Sequence, residues 1–198
     1  MLHKMNITLA LIFSTLFVVA QQRTVYQVKY KGEAVGTVNI DRETEGNRLY
    51  YKMHSDIKAR FIFSIRVKTS QESVFHDGRL TYSTVSRVIN GNEKSIRETR
   101  SLNNAYELVK EGKISTLPHK AITYNVMSLY FEEPVNTTSV YSDNYQRFLP
   151  IKKMKPHTYR MLLPDGNYNY YTYTNGVCSR VDVHSTMYTM EMHLIKPQ

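Results

Sequence analysis

The chain has 198 residues, 41% hydrophobic, 12% aromatic and 22% charged, with eight glycines, six prolines, one cysteine and no tryptophan. Those proportions exclude collagen-like, disulfide-framework and wholly disordered chains and leave one globular domain. The formal net charge of +9 suits solubility or acidic surroundings such as anionic lipid headgroups, and the dense Lys/Arg block of a nucleic-acid-binding arm is missing.

Taken from the N-terminus, residues 1–20 read as a signal peptide. Lys4 supplies a basic start, and Ile7 to Ala20 is an apolar run broken only by Thr8, Ser14 and Thr15. Val18-Val19-Ala20 presents short side chains ahead of a cut before Gln21. The run falls short of the about 20 residues that a membrane span needs. A lipoprotein would carry a cysteine at the cut, whereas Cys178 is far away in sequence. The expected product is an exported periplasmic or secreted domain over residues 21–198, with no transmembrane segment after cleavage and no internal disulfide.

From Thr24 onward, apolar residues alternate with polar ones between turn signals. Seven glycines fall between apolar runs, four of them in Asp77-Gly78, Asn90-Gly91, Asp165-Gly166 and Asn175-Gly176. Asp-Gly and Asn-Gly tolerate the positive φ of type I′ turns, whose twist matches the flanking strands, so repeated hairpins and an antiparallel sheet are predicted. The strands predicted are Thr24 to Lys31, Val35 to Asp41, Arg48 to Ser55, Ile57 to Lys68, Leu80 to Ile89, Lys94 to Leu102, Thr158 to Leu163, Tyr168 to Thr174, Val177 to Val183 and Met187 to Ile195. In the fourth, Ile57, Ala59, Phe61, Phe63, Ile65 and Val67 share one face while Lys58, Arg60, Ser64, Arg66 and Lys68 share the other. As one strand it extends about 40 Å at about 3.3 Å per residue, so it has to bend. Between the sixth and seventh strands the prolines cluster, and Ile122, Val126 and Leu129 at i, i+4 and i+7 predict a short helix over Ile122 to Phe131, laid over the sheet or plugging an open end. The fold class is therefore all-β with one short helix, a curved antiparallel sheet of about ten strands forming a barrel or half-barrel.

The last hairpin permits a register. A turn at Ser185-Thr186 sets Val183 against Tyr188, Val181 against Met190, Val177 against Leu194, Arg180 against Glu191 and Cys178 against His193. The last pair would have Cβ atoms about 5 Å apart, close enough for a thiolate–imidazole nucleophile or a weak metal site. The plainer reading is a cysteine used as a small hydrophobe beside a surface histidine, since no orienting group or oxyanion motif accompanies them. Lys58, Arg60, Arg66 and Lys68 form a basic face able to receive a phosphate or carboxylate, or simply a solvated outer face that keeps strands from aggregating. The tyrosines Tyr168, Tyr170, Tyr171 and Tyr173 suit stacking or cavity lining as well as sheet packing. Asp77 after His76 reads as a turn former, Glu132-Glu133 as an exposed pair ending the helix, and Asn136-Thr137-Thr138 matches the glycosylation acceptor pattern. Motifs for catalytic metals, nucleotide phosphates, calcium or an α/β-hydrolase serine do not occur, so no cofactor and no metal is called for.

The opening Y-Q-V-K-Y-K-G-E-A-V-G (Tyr26 to Gly36) and the closing stretch Tyr168 to Leu194, with Y-N-Y-Y-T-Y-T-N-G-V-C-S-R-V-D-V, resemble exported β-barrel families of Gram-negative, Bacteroidota-type bacteria known as domains of unknown function. The resemblance implies a curved antiparallel sheet in the periplasm and carries over no catalytic residue. The function expected is binding of a lipid or other amphipathic small molecule in the curved sheet by a monomeric chain. The alternatives are an envelope-associated hydrolase of lipid or glycan, or a structural assembly factor with an envelope protein partner; nucleic acid is not an expected partner. Lipocalin membership is disfavoured, because the chain has no tryptophan for the first strand.

Overall fold

The computed structural model describes residues 20–60, 64–119 and 121–197. The expected signal peptide lies outside them except for Ala20, which opens the first strand. Among the described residues fourteen strands form one sheet: β1 (Ala20–Tyr30), β2 (Glu33–Glu45), β3 (Arg48–Arg60), β4 (Ser64–His76), β5 (Arg79–Ile89), β6 (Asn92–Ser101), β7 (Tyr106–Lys110), β8 (Lys113–Leu117), β9 (Ser139–Ser142), β10 (Arg147–Lys155), β11 (Thr158–Leu162), β12 (Tyr168–Thr174), β13 (Val177–His184) and β14 (Thr189–Pro197). The spatial order is β8-β7-β6-β5-β4-β3-β2-β1-β14-β13-β12-β11-β10-β9. Two meanders therefore meet at the antiparallel β1–β14 pair, and the link between β8 and β9 has to travel from one sheet edge to the other.

Local chemistry explains the meanders. At Asn90-Gly91 φ is 51° and 84°, and at Asn175-Gly176 it is 51° and 79°. Both central residues are left-handed, as a type I′ hairpin turn demands. Asp165-Gly166 differs: Gly166 alone takes positive φ, and a wider loop closes with the Leu163 amide donating to the Asn167 carbonyl at 2.8 Å. Gly36 serves another purpose. A Cβ there would sit 2.2 Å from the Asp56 carbonyl oxygen, so the β2–β3 register Gly36↔Ile57 requires a bare Cα.

The sheet curls until its β9–β10 end rests against β4–β7 through side chains. Tyr141 Oη lies 2.9 Å from Thr99 Oγ1, and Gln146 Nε2 donates to the Glu98 and Val109 carbonyls at 2.8 and 3.2 Å. It is barrel-like but not closed, because no backbone ladder joins β8 to β9. Tyrosines dominate the hidden face. Tyr26, Tyr51, Tyr106, Tyr141, Tyr159 and Tyr171 are fully buried, and Tyr130 rests edge-on against Tyr26 and Tyr171. A buried phenol needs a partner for its hydroxyl, and several find one in backbone carbonyls: Tyr26 donates to Cys178 at 2.7 Å and Tyr173 to Leu129 at 2.9 Å.

Four expectations are corrected. Ile57 to Lys68 is not one bent strand but the two arms of a hairpin, with Ile57↔Val67, Ala59↔Ile65 and Arg60↔Ser64 paired. Partners across this connection share parity, so alternation runs through the reversal unbroken and hides it. The strand count exceeds ten because β7, β8, β9 and β10 have no counterpart among the predicted strands. The helix over Ile122 to Phe131 shrinks to a single 3₁₀ turn at Ser128–Tyr130. Its N-terminal half is instead pinned as an extended strap. The Val126 amide donates to the Tyr141 carbonyl at 2.9 Å, the Tyr141 amide to the Tyr124 carbonyl at 3.1 Å, and Asn125 bridges Tyr141 in parallel. Finally, the last turn contains four residues, closed by the Ser185 amide on the Tyr188 carbonyl at 2.9 Å, which slides the register by two to Val183↔Met190 and Val181↔Met192.

Candidate functional site: a groove at one end of the half-barrel

The strand directions put the turns at 31–32, 90–91, 111–112, 143–146, 163–167 and 185–188 at one end of the sheet. The middle of the concave face is filled. Ile122, Met127, Leu129 and Tyr130 of the strap are buried there, held by the Leu80 amide on the Ile122 carbonyl and the Ile122 amide on Tyr106 Oη, both at 2.8 Å. Towards the turn-rich end the strap no longer covers the sheet, and a groove of about 370 Å³ opens between Ile57 and Ala59 of β3, Ile65, Val67 and Thr69 of β4, Arg87 and Ile89 of β5, and Tyr188 and Met190 beside and on β14. That volume falls in the usual range for small-ligand sites, about 300–1,000 Å³. Its walls follow from register: Ile57↔Val67, Ala59↔Ile65 and Val67↔Ile89 align their side chains on the concave face.

One cation enters this apolar surface. Arg87 pairs with Thr69 on one side and Ser95 on the other, and its Nε is buried without a hydrogen-bond partner. Two positions along β6, Arg97 shares the same face, donating to Ser95 Oγ at 3.1 Å and Asn144 Oδ1 at 3.4 Å. Tyr145 follows Asn144 in the turn between β9 and β10; burial raises its hydroxyl pKa, opposed by Arg87 and Arg97 nearby. The same turn carries Asp143, which is 1% exposed. Asp143 Oδ2 accepts from Gln71 Nε2 and Asn125 Nδ2, each at 3.0 Å, while Oδ1 has no partner within hydrogen-bonding distance. Burial pushes its pKa up to about 6, with the neighbouring Ser83 and Asn125 acting in the opposite sense.

The residues singled out from sequence lie elsewhere. Lys58, Arg60, Arg66 and Lys68 alternate with the groove residues and occupy the opposite, outer face. Arg66 is already committed there, its guanidinium forked onto Asp56 at 2.8 and 2.5 Å, which lowers the Asp56 pKa. Cys178 and His193 are not brought together. His193 pairs with Arg180 and points outward to Glu191 Oε2 at 2.8 Å, whereas Cys178 is fully buried opposite Tyr173. The two-residue slide alone would keep them on one face. A bulge at Ser179, where Thr172↔Arg180 is followed by Tyr173↔Cys178, turns the thiol inward. Burial pushes its pKa up to about 12, the reverse of what a nucleophile needs. The tyrosine group divides likewise. Tyr171 and Tyr173 are core residues, while Tyr168 stacks on His184 with centroids 4.8 Å apart and Tyr170 meets the same ring edge-on. Glu133 ends no helix but ties the strap to the β10–β11 hairpin, accepting from Tyr159 Oη at 2.7 Å and lying 2.9 Å from His157 Nδ1. Among the described residues no cluster of His, Cys, Asp and Glu could hold a metal ion.

Arg87, Arg97, Tyr145 and Asp143 were missed by sequence reasoning. A signal existed for Arg87, which shares parity with Val85 and Ile89 and so lies on their apolar face. For Asp143 no local signal exists, because its partners are 72 and 18 positions away.

Residues 26–195 match the sequence profile of the domain of unknown function DUF6134, and the chain belongs to that family. No curated protein matches it. A similar solved structure is the β-barrel-like protein of domain of unknown function DUF1849 from Brucella abortus, at 10% identity and a TM-score of 0.58 over 92% of this chain and 98% of that one. At that identity the likeness concerns the fold alone.

Proposed function

We propose that this DUF6134 chain is an exported, periplasmic protein that binds an amphipathic or lipid-like small molecule, with the apolar part of the ligand in the groove between β3, β4, β5 and β14. The observation that carries this reading is the groove itself, whose walls are Ile57, Ala59, Ile65, Val67, Ile89 and Met190 and which the protein's own strap leaves uncovered. Buried apolar area supplies the binding free energy, about 0.8 kcal/mol per methylene removed from water. The site is not a lipocalin-like central cup, since the strap and the tyrosines occupy that volume. Export rests on the sequence of residues 1–20. The hydrolase alternative loses its nucleophile pair with Cys178 and His193 on opposite faces.

Titration calorimetry of the purified protein with 1-decanol tests the reading. Saturable binding is expected, with ligand at a hundredfold over Kd stabilising the fold by about 2.7 kcal/mol. Ile65→Glu, which places a charge in the groove wall, abolishes it. Absence of saturable binding to the native protein, or undiminished binding by the variant, refutes the proposal.

A further inference from the structure

We infer that the inner end of the groove is an anion site, in which Arg87 and Arg97 receive the carboxylate or phosphate head of the ligand whose tail lies along Ile57, Ile65 and Val67. This rests on the amphiphile reading for the tail, but the head is argued from separate observations. Four other arginines of the sheet are ion-paired, Arg23 with Asp41, Arg66 with Asp56, Arg100 with Glu98 and Glu107, and Arg180 with Asp182 and Glu191, while Arg48, Arg60, Arg79 and Arg147 are exposed to solvent. On the concave face Arg42 stacks over Tyr51 and Phe131, with its guanidinium 6.0 and 5.8 Å from the ring centroids. Arg87 and Arg97 have neither arrangement. Among the described residues neither forms an ion pair, Arg87 Nε is buried and unsatisfied, and Arg97 donates to the neutral acceptors Ser95 Oγ and Asn144 Oδ1.

Two cations without a counter-charge on one partly buried face favour an arriving anion, which supplies the missing partner. Register brings them into one neighbourhood: Arg87 faces Ser95, the same serine to which Arg97 donates, and both lie near the Tyr145 hydroxyl. Planar forks in that arrangement suit a head with two or three oxygens, which each can hold bidentately. Two acids lie nearby, and among the described residues neither forms an ion pair with these arginines. Asp143 accepts from Gln71 and Asn125, and Asp165 accepts from the Asn167 amide at 3.2 Å and Asn167 Nδ2 at 2.9 Å. Thr69 and Tyr188 complete the junction between this cation pair and the apolar walls.

The test compares ten-carbon ligands that differ in the head: decanoate, decyl phosphate, 1-decanol and decyltrimethylammonium, each titrated into the purified protein below its micelle concentration. Decanoate and decyl phosphate are expected to bind at least about tenfold more tightly than decanol, and decyltrimethylammonium more weakly, as charged hydrogen bonds predict. Arg87→Gln and Arg97→Gln each reduce that preference, read as the ratio of decanoate to decanol affinity in the same variant, to about twofold. Equal binding of decanoate and decanol, or a preference that survives both substitutions, overturns the inference. Arg87→Lys serves if the glutamine variant fails to fold; it keeps the charge, loses the fork and is expected to retain part of the preference. Inorganic phosphate alone separates the two readings. If no decyl compound binds but phosphate protects the native protein and not Arg87→Gln against thermal unfolding, the anion site stands and the amphiphile reading falls. If neither decyl compounds nor phosphate bind, both fall.

Discussion

At Asp143, burial and hydrogen bonding pull in opposite directions. Two amide donors reach Oδ2, but Oδ1 has none, and the loss of water wins, leaving the carboxyl with a pKa of about 6. The folded value stands above the unfolded one of about 3.9, so this group's contribution to stability is fully present below about pH 4 and is lost as the pH rises through 6. Two pKa units correspond to about 3 kcal/mol. Asp143→Asn keeps the acceptor for Gln71 and Asn125 and sets its amino group beside the unpartnered Ser83 hydroxyl. The variant is therefore expected to be more stable than the native protein at pH 8, and the gap should close towards pH 4. Urea midpoints measured across that range check it, and a gap independent of pH would contradict the burial argument. Cys178 gives a second residue-scale expectation. Its thiol is enclosed and its pKa stands at about 12, so a thiol reagent at pH 8 should label unfolded but not native protein.

Elements are positioned by a few contacts whose removal should be felt. The strap is anchored by Asn125, whose Nδ2 donates to Ser73 Oγ and Asp143 Oδ2 while Oδ1 accepts from the Ser128 amide and hydroxyl at 3.2 Å each. Asn125→Ala strands several buried partners, each worth about 1–3 kcal/mol when left unpaired. A fall in the melting temperature is expected, read by calorimetry at pH 7. The β2–β3 contact at Gly36 is equally intolerant. Gly36→Ala forces backbone apart at 2.2 Å and should cost about 1–3 kcal/mol, whereas Gly32→Ala meets no atom and is opposed only by its positive φ. In the sequence, Ile122, Val126 and Leu129 fit a helical stripe and predict a helix where the strap lies. What defeats that stripe is Tyr141, whose backbone offers both a donor and an acceptor to the strap. An available sheet edge can outweigh a short segment's helical pattern.

Across the whole molecule the two sheet edges are treated differently. The outer edge of β9 is covered by residues 124–126 of the strap, and its residues Val140, Tyr141 and Ser142 are buried. The outer edge of β8 faces outward, with Ile114 69% exposed. Hydrogen exchange is expected to reach β8 amides first and to leave β9, though equally terminal in the sheet order, protected together with the central strands. Equal exchange at the two edges would show that the strap does not secure β9. The same strap also decides where a ligand can go, since it fills the middle of the curl and leaves the groove by Ile65 and Arg87 at the end.

Legible in the residues alone were the all-β architecture, the hairpins at Asp77-Gly78, Asn90-Gly91 and Asn175-Gly176, and the inward face of β14 and of β13 from Val181 onward, but not its start, where the Ser179 bulge turns Cys178 inward. Those properties are local. Period-two alternation and turn chemistry act within a few residues, and a register slide of two leaves every side chain on its face. Packing across the molecule was needed to settle that β1 closes on β14, that the strap crosses the curl and that Arg97 meets the Asp143–Gln146 turn. Those are contacts between segments tens to more than a hundred residues apart, selected by how the curled sheet packs on itself. Alternation along one strand carries no information about which distant strand will face it.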